Sequence, residues 1–275
     1  MLTGRRAIEG QDMKKEERTI MRARILKVVI FCILFQMYGS GVYALNLLGP
    51  PTAEVKQGRF ELGFDHSYSR FAADFDFTDG TSSMPDFGNN RMKMNATCNS
   101  FAYGFTDSIE GFASVGNAGI VDEEHQRLNV DGSTYGGGAK ITLQEYYLVK
   151  WGVLVQANFV DLDGTWYRPH WFGDWYGDAE MNFYQIIAAG GANYQLSDYA
   201  FMYGGPFCYY LDGEVEYEEF WPVSGFIEKY DLNNKSIFGW YVGLKMLIET
   251  DMTVSIEYQR TSHDNMLACG LAWKF

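Results

Sequence analysis

The chain has 275 residues, 47% of them hydrophobic, which excludes wholesale disorder. No run approaches the ~20 apolar residues of a spanning helix, and a formal charge of −13 makes nucleic acid a poor partner. Aromatic residues reach 17%, with 30 glycines against 6 prolines, a composition that suits many strands joined by tight turns.

The first 44 residues read as an address. Arg22, Arg24 and Lys27 precede the apolar run 28–35, and Gly39-Ser40-Gly41 and Val42-Tyr43-Ala44 follow. A basic flank, a short apolar core and a small final residue make a secretory signal, with cleavage expected between Ala44 and Leu45. The residues before Met21 carry no pattern, so translation is expected to start at Met13 or Met21. Residues 45–275 are then a single mature domain. Losing 8 basic and 4 acidic residues leaves it with a charge of −17. Its three cysteines, Cys98, Cys208 and Cys269, sit in strand-like runs and read as packing residues, a Cys98–Cys208 bridge being the one conceivable pairing.

The mature chain alternates with period two. Trp151, Val153, Val155, Ala157 and Phe159 form one apolar face, and Phe238, Trp240, Val242, Leu244 and Met246 form another. The opposite faces are small or charged, as in Gly136, Gly138 and Lys140 or Gly239, Gly243 and Lys245. Runs of nine or ten residues match the length a tilted strand needs to cross a bilayer. The expected strands are 57–69, 91–105, 109–119, 134–143, 150–161, 178–194, 199–212, 235–248, 252–260 and 266–275. Short connections alternate with long polar ones near 70–90, 119–133, 161–178 and 212–234. This predicts an all-β, antiparallel transmembrane β-barrel of about ten strands. Eight or twelve are also compatible, because 109–119 and 178–194 are apolar on both faces and leave their phase open.

The turn Tyr103-Gly104-Phe105-Thr106-Asp107 and the ending Gly270-Leu271-Ala272-Trp273-Lys274-Phe275 resemble small bacterial outer-membrane β-barrels of the OmpA-like superfamily. The resemblance implies that Gly270, Leu271, Trp273 and Phe275 form the signal read by the barrel-assembly machinery. It also implies an outer-membrane location, contact with outer-membrane lipid, and long loops facing outside the cell.

Barrel enzymes exist, and His66, His125, His170 and His263 are this chain's histidine candidates for such chemistry. Asp161-Leu162-Asp163 resembles half of the acidic site of omptin-like proteases, but no Asp-x-His occurs. A Ser–His hydrolase pair is not placed by sequence. The acids of 74–80 could converge on calcium, although Pro85 stands where an EF-hand loop needs Glu. No catalytic residue, metal or cofactor is therefore assigned.

Alternation predicts that Arg59, Glu61, Asp65, Lys93, Lys140, Lys245 and Glu257 point into the lumen and pair there. A narrow barrel lined by such groups is expected to be largely filled by side chains. The expected function is non-enzymatic, in envelope structure or surface interaction through acidic, aromatic-rich loops, as a monomer. A small-solute, porin-like channel and a barrel-embedded hydrolase or acyltransferase are the alternatives. Trp166, Trp171 and Trp175 are read either as an outer aromatic girdle or a cap on the barrel mouth, or as a platform for a surface glycan or other cell-surface ligand.

Overall fold

A computed structural model describes residues 47–77, 91–122, 128–168, 175–219, 226–234 and 237–275. The expected signal segment, its Ala44–Leu45 cleavage point and both candidate starts fall outside them. In chain order the strands are β1 (Phe60–Phe77), β2 (Arg91–Thr106), β3 (Ile109–Asp122), β4 (Leu128–Tyr146), β5 (Val149–Arg168) and β6 (Trp175–Ser197). They continue with β7 (Ala200–Glu219), β8 (Phe226–Asn234), β9 (Phe238–Glu249), β10 (Met252–Thr261) and β11 (Asn265–Lys274).

Every named strand pairing is antiparallel, and β11 pairs with β1, so the sheet closes on itself. Closure removes the sheet edges, the one way a β structure can sit in lipid with its backbone satisfied. The eleven strands occupy ten positions, because β8 and β9 share one. β9 pairs with the lower part of β7, residues 200–208, and with β10. β8 pairs with the upper part of β7, residues 212–219, and with residues 73–77 of β1. The short β10–β11 hairpin ends below β8. The barrel is thus ten strands wide at the short-turn end and eight at the long-loop end.

The register fixes the slant. A row of directly opposed residues runs from Met202 through Leu244, Ile256, Cys269, His66, Thr97, Asn117, Ser133, Asp161 and Asn182. It returns to β7 at Glu214, twelve residues above its start. That stagger corresponds to strands tilted by roughly 40°.

The two faces exchange polarity part-way up the wall. On β5, Trp151, Val155 and Phe159 are exposed on the outside while Gln156 and Asn158 are buried inside. Above Phe159 the outer residues become Asp161, Asp163 and Thr165, and the buried inner ones Val160 and Leu162. β7 does the same. Met202 and Tyr210 face outward below, then Asp212, Glu214, Glu216 and Glu218 above, opposite buried Leu211 and Val215. Stacked or tilted rings of Tyr135, Phe159, Tyr184 and Tyr210 mark the crossover, with successive centroids 5.4, 6.3 and 6.1 Å apart. Five alternate residues up to this line span about 21 Å at that tilt, somewhat under the ≈ 25 Å apolar band of an outer-membrane barrel.

The exchange corrects the loop assignments. Residues 70–77, 128–133, 161–168, 175–178, 212–219 and 226–234 are strand, where the sequence reading put long polar connections. They look like loops because their outer face is acidic. The pattern still has period two, but its apolar face has moved inside. The two undecided runs gain a phase: Glu110 and Phe112 of β3, and Gln185 and Ile187 of β6, point inward.

Candidate functional site: the interior of the barrel

Above the aromatic row the interior is apolar. Ile120, Val130, Leu162, Met181, Val215 and Leu232 are each fully buried, and they pack with Met92, Met94, Phe183, Leu211 and Met266 into one cluster. Eight strands leave an interior that side chains can fill. Trp166 belongs to this packing: its ring meets Tyr217 edge-on at 5.8 Å and its indole N–H donates to the Glu218 carbonyl at 3.2 Å. It is therefore no part of an outward platform. Trp171 lies outside the described residues, as does the side chain of Trp175.

Below the row the interior is polar and holds residues 47–55, the segment that precedes β1. Residues 48–53 and 55 are buried, although residues 47–57 form no strand. Backbone buried without a ladder must find other partners. The wall supplies carboxylates. Glu257 accepts from the N–H groups of Leu48 at 2.9 Å and Gly49 at 2.8 Å, and Glu110 from those of Glu54 at 2.7 Å and Val55 at 2.9 Å. Thr142 Oγ1 accepts from Ala53 N–H at 3.0 Å, and Asn193 Nδ2 donates to Thr52 Oγ1 at 3.5 Å. Hydrogen bonds to charged groups contribute roughly 1.5–3 kcal/mol each. The segment is thereby tied to β3, β4, β6 and β10 at once.

The charges cluster around it. Lys245 pairs with Glu54 at 2.5 Å and lies 3.9 Å from Glu61, which is 3.6 Å from Lys274. Lys274 also donates to the Glu54 carbonyl at 3.2 Å, and Lys140 lies 3.5 Å from Glu110. Between segment and wall remains a cavity of ≈ 90 Å³ bordered by Leu47, Asp65, Glu110, Lys140 and Lys245. That is room for a few waters.

Glu61, Asp65, Lys140, Lys245 and Glu257 thus come together in the lower interior. Arg59 and Lys93 do not. Arg59 is exposed and precedes β1, and Lys93 falls between buried Met92 and Met94, so it faces outward. Sequence reasoning missed Glu54, Glu110 and Lys274, and with them the inserted segment. Glu110 directly opposes Lys140 across the β3–β4 ladder, a signal hidden while the phase of β3 stayed open.

Other singled-out residues are dispersed. Asp161 and Asp163 sit on the outer face of β5, and Asp163 belongs to a cross-strand row Asp131–Asp163–Glu180–Glu216. Lys229 closes that row with an ion pair to Glu216, whose hydrogen bond holds the ammonium pKa above its ordinary value. His66 shares a 2.8 Å hydrogen bond with Thr97 on the outer face. Ser262 Oγ and His263 Nδ1 lie 3.0 Å apart in the β10–β11 turn. The neighbouring Asp264 carboxylate accepts from the Tyr209 and Thr261 hydroxyls. His125 and His170 lie outside the described residues. Asp74 and Asp76 continue β1 against β8 instead of forming a loop. Cys98, Cys208 and Cys269 form no disulfide with one another, so the conceivable Cys98–Cys208 bridge is absent among the described residues.

At the end of the chain, Gly270 faces the interior against Leu47, and Leu271 and Trp273 alternate outward. The Phe275 ring stacks on Phe60 at 5.1 Å, where its backbone N–H donates to the Phe60 carbonyl.

A closed, tilted, antiparallel barrel with an apolar outer belt is the fold of small bacterial outer-membrane β-barrel proteins. Among solved structures, the chain is similar to the outer membrane protease OmpT from Escherichia coli, with a TM-score of 0.51 and 8% identity over 82% of this chain and 99% of that one. An outer membrane channel from Pseudomonas putida F1 matches at TM-score 0.42 and 12% identity, over 84% of this chain and 100% of the other. The attachment invasion locus protein Ail of Yersinia pestis matches at 0.31 and 12%, over 80% and 99%. The likeness to OmpT bears on the fold as a class and does not single out the OmpA-like superfamily. No protein-family model and no curated protein matches the sequence.

Proposed function

We propose that the chain resides in the bacterial outer membrane as a non-enzymatic, monomeric barrel with a filled lumen, serving envelope structure or surface interaction through its acidic long-loop half. One observation carries the reading: the interior is occupied at two levels, by apolar packing above the aromatic row and by residues 47–57 below it. The likeness to OmpT is one of fold at 8% identity and transfers no catalytic role. Asp163 stands among acids on an outer wall, which supports a binding face over a catalytic cleft. Outside the cell such a face repels polyanions and admits neutral glycans or basic surfaces. Outer-membrane lipid and, during biogenesis, the barrel-assembly machinery complete the partners.

The channel alternative is tested by conductance. Refolded protein in planar bilayers is expected to give no steady openings above the bare-membrane level, with or without residues 47–57, because the apolar packing remains. Steady openings of the intact chain would establish a pore.

A further inference from the structure

The outer wall turns acidic above the aromatic row on β5, β6 and β7, but on the opposite side it turns basic. Across β9, β10, β11 and β1, directly opposed outward residues read Trp240, Arg260, Asn265 and Arg70. The β1–β2 register that sets Phe71 against Met92 sets Arg70 against Lys93, so the row continues onto β2. Arg260 is exposed, and Arg70 and Lys93 are half-buried. Among the described residues no carboxylate pairs with Lys93 or Arg260. Lys229, an outward cation among the acids of β7 and β8, is by contrast held by Glu216.

The stagger of the barrel gives the height of this row. A line of opposed residues climbs twelve residues over ten strands, so each strand step raises it by about 1.2 residues, or about 3 Å along the axis. Asn265 lies four residues above Cys269, and Phe159 two below Asp161, which stands five strands further along the same line. Asn265 is therefore level with Phe159 at the aromatic crossover. Arg260 falls about 3 Å below that level, Arg70 about 3 Å above it and Lys93 about 6 Å above it. The three cations straddle the line where the apolar belt ends and lipid headgroups begin. Just beneath them the rings of Trp240 and Tyr258 tilt together at 5.5 Å, as interfacial aromatics do.

Without an anion the arrangement is unfavourable. Arg70 stands directly opposite Lys93, and Arg260 is two strand spacings away, about 10 Å. Like charges opposed across a ladder destabilise it. A phosphate seated over the row reverses the sign, because guanidinium groups grip its oxygens in pairs. A soluble polyanion has to approach past the acidic upper wall, whereas a lipid phosphate is carried to this depth by its own acyl chains.

We propose that Arg260, Asn265, Arg70 and Lys93 form a site on the outside of the barrel for the phosphates of an outer-leaflet glycolipid headgroup of the lipid A class. The Asn265 amide adds a donor between the two arginines, and the aromatic pair lies below, against the acyl chains. The site rests on the outer-membrane reading and deepens it, turning general lipid contact into recognition of one headgroup chemistry.

The test titrates the folded protein, in detergent micelles, with bisphosphorylated lipid A and with the same lipid stripped of its phosphates. Binding is read from the ligand-dependent rise in melting temperature. The phosphorylated lipid is expected to bind more tightly. Its affinity should fall about fivefold in each of Arg70→Gln, Lys93→Gln and Arg260→Gln, the share of one cation near an anionic surface. Lys150→Gln, which removes an exposed cation at the short-turn end, should leave it unchanged. Equal binding of both lipids by the wild type would overturn the proposal, and that comparison needs no variant. A loss in Lys150→Gln as large as in the other three would overturn it too. So would a sulfated oligosaccharide that binds without lipid through the same three residues, since the site would then serve a soluble polyanion. A barrel that inserts into lipid yet ignores the phosphates would remove this site and leave the outer-membrane reading standing.

Discussion

Gly104 lies where the inserted segment crosses the wall. A Cβ there would stand 2.2 Å from the Lys56 carbonyl oxygen and 2.4 Å from that of Val55, and the Gly58 N–H donates to the Gly104 carbonyl at 2.9 Å. Backbone cannot yield as a flexible side chain can. Gly104→Val is therefore expected to displace residues 47–57 while leaving the strand ladder intact. The cost should be about 1–3 kcal/mol, the usual range for forcing extra atoms into a packed interior. Limited proteolysis checks it, with the variant cut near Lys56 while the wild type is protected. Equal protection would mean that the segment is held by its carboxylate contacts alone.

At the scale of single elements, each strand is an ordinary alternating ribbon whose apolar face changes sides once. Below the change, lipid is the apolar solvent. Above it, the interior is. The acidic outer face has a cost, because like charges directly opposed across a ladder destabilise it. Glu180 sits between Asp163 and Glu216 on neighbouring strands. Glu180→Gln is expected to stabilise the barrel by about 0.5 kcal/mol at low ionic strength. The gain should fade in high salt, where exposed charges are screened. Thermal melts at two salt concentrations check both parts, and a salt-independent change would point to packing.

The same exchange explains what the sequence disclosed. Strand identity and the short turns were legible wherever the outer face was aromatic, as in 150–161 and 235–248. Upper strand segments such as 212–219 were not, because Asp212, Glu214, Glu216 and Glu218 read as a solvated loop unless Leu211, Gly213 and Val215 are seen to hold the other phase. Interior charges followed where the alternation was unbroken, as at Lys140 and Lys245. They failed at Arg59, which precedes the first strand, and at Lys93, whose phase is set by Met92 and Met94. The inserted segment had no periodicity to find. Its non-strand backbone is satisfied by side chains distant in sequence, and only the folded barrel brings Glu110 and Glu257 to it.

At the scale of the whole molecule, the account is of one barrel with two environments stacked along its axis. The short-turn half carries lipid-facing apolar side chains around a polar interior occupied by the segment that precedes β1. The long-loop half carries an acidic exterior around an apolar core. Depth-dependent quenching along the outer face of β5 tests this arrangement most directly. A fluorophore is placed in turn on Cys substitutions of Val153, Val155, Ala157, Asp161, Asp163 and Thr165, in a background without the native cysteines, and the protein is folded into vesicles. The account predicts that 153, 155 and 157 respond to a quencher carried on lipid tails and are shielded from an aqueous one. Positions 161, 163 and 165 should show the reverse, with the switch falling at Phe159. Lipid quenching that continues through 165, or aqueous quenching that reaches 153, would contradict it.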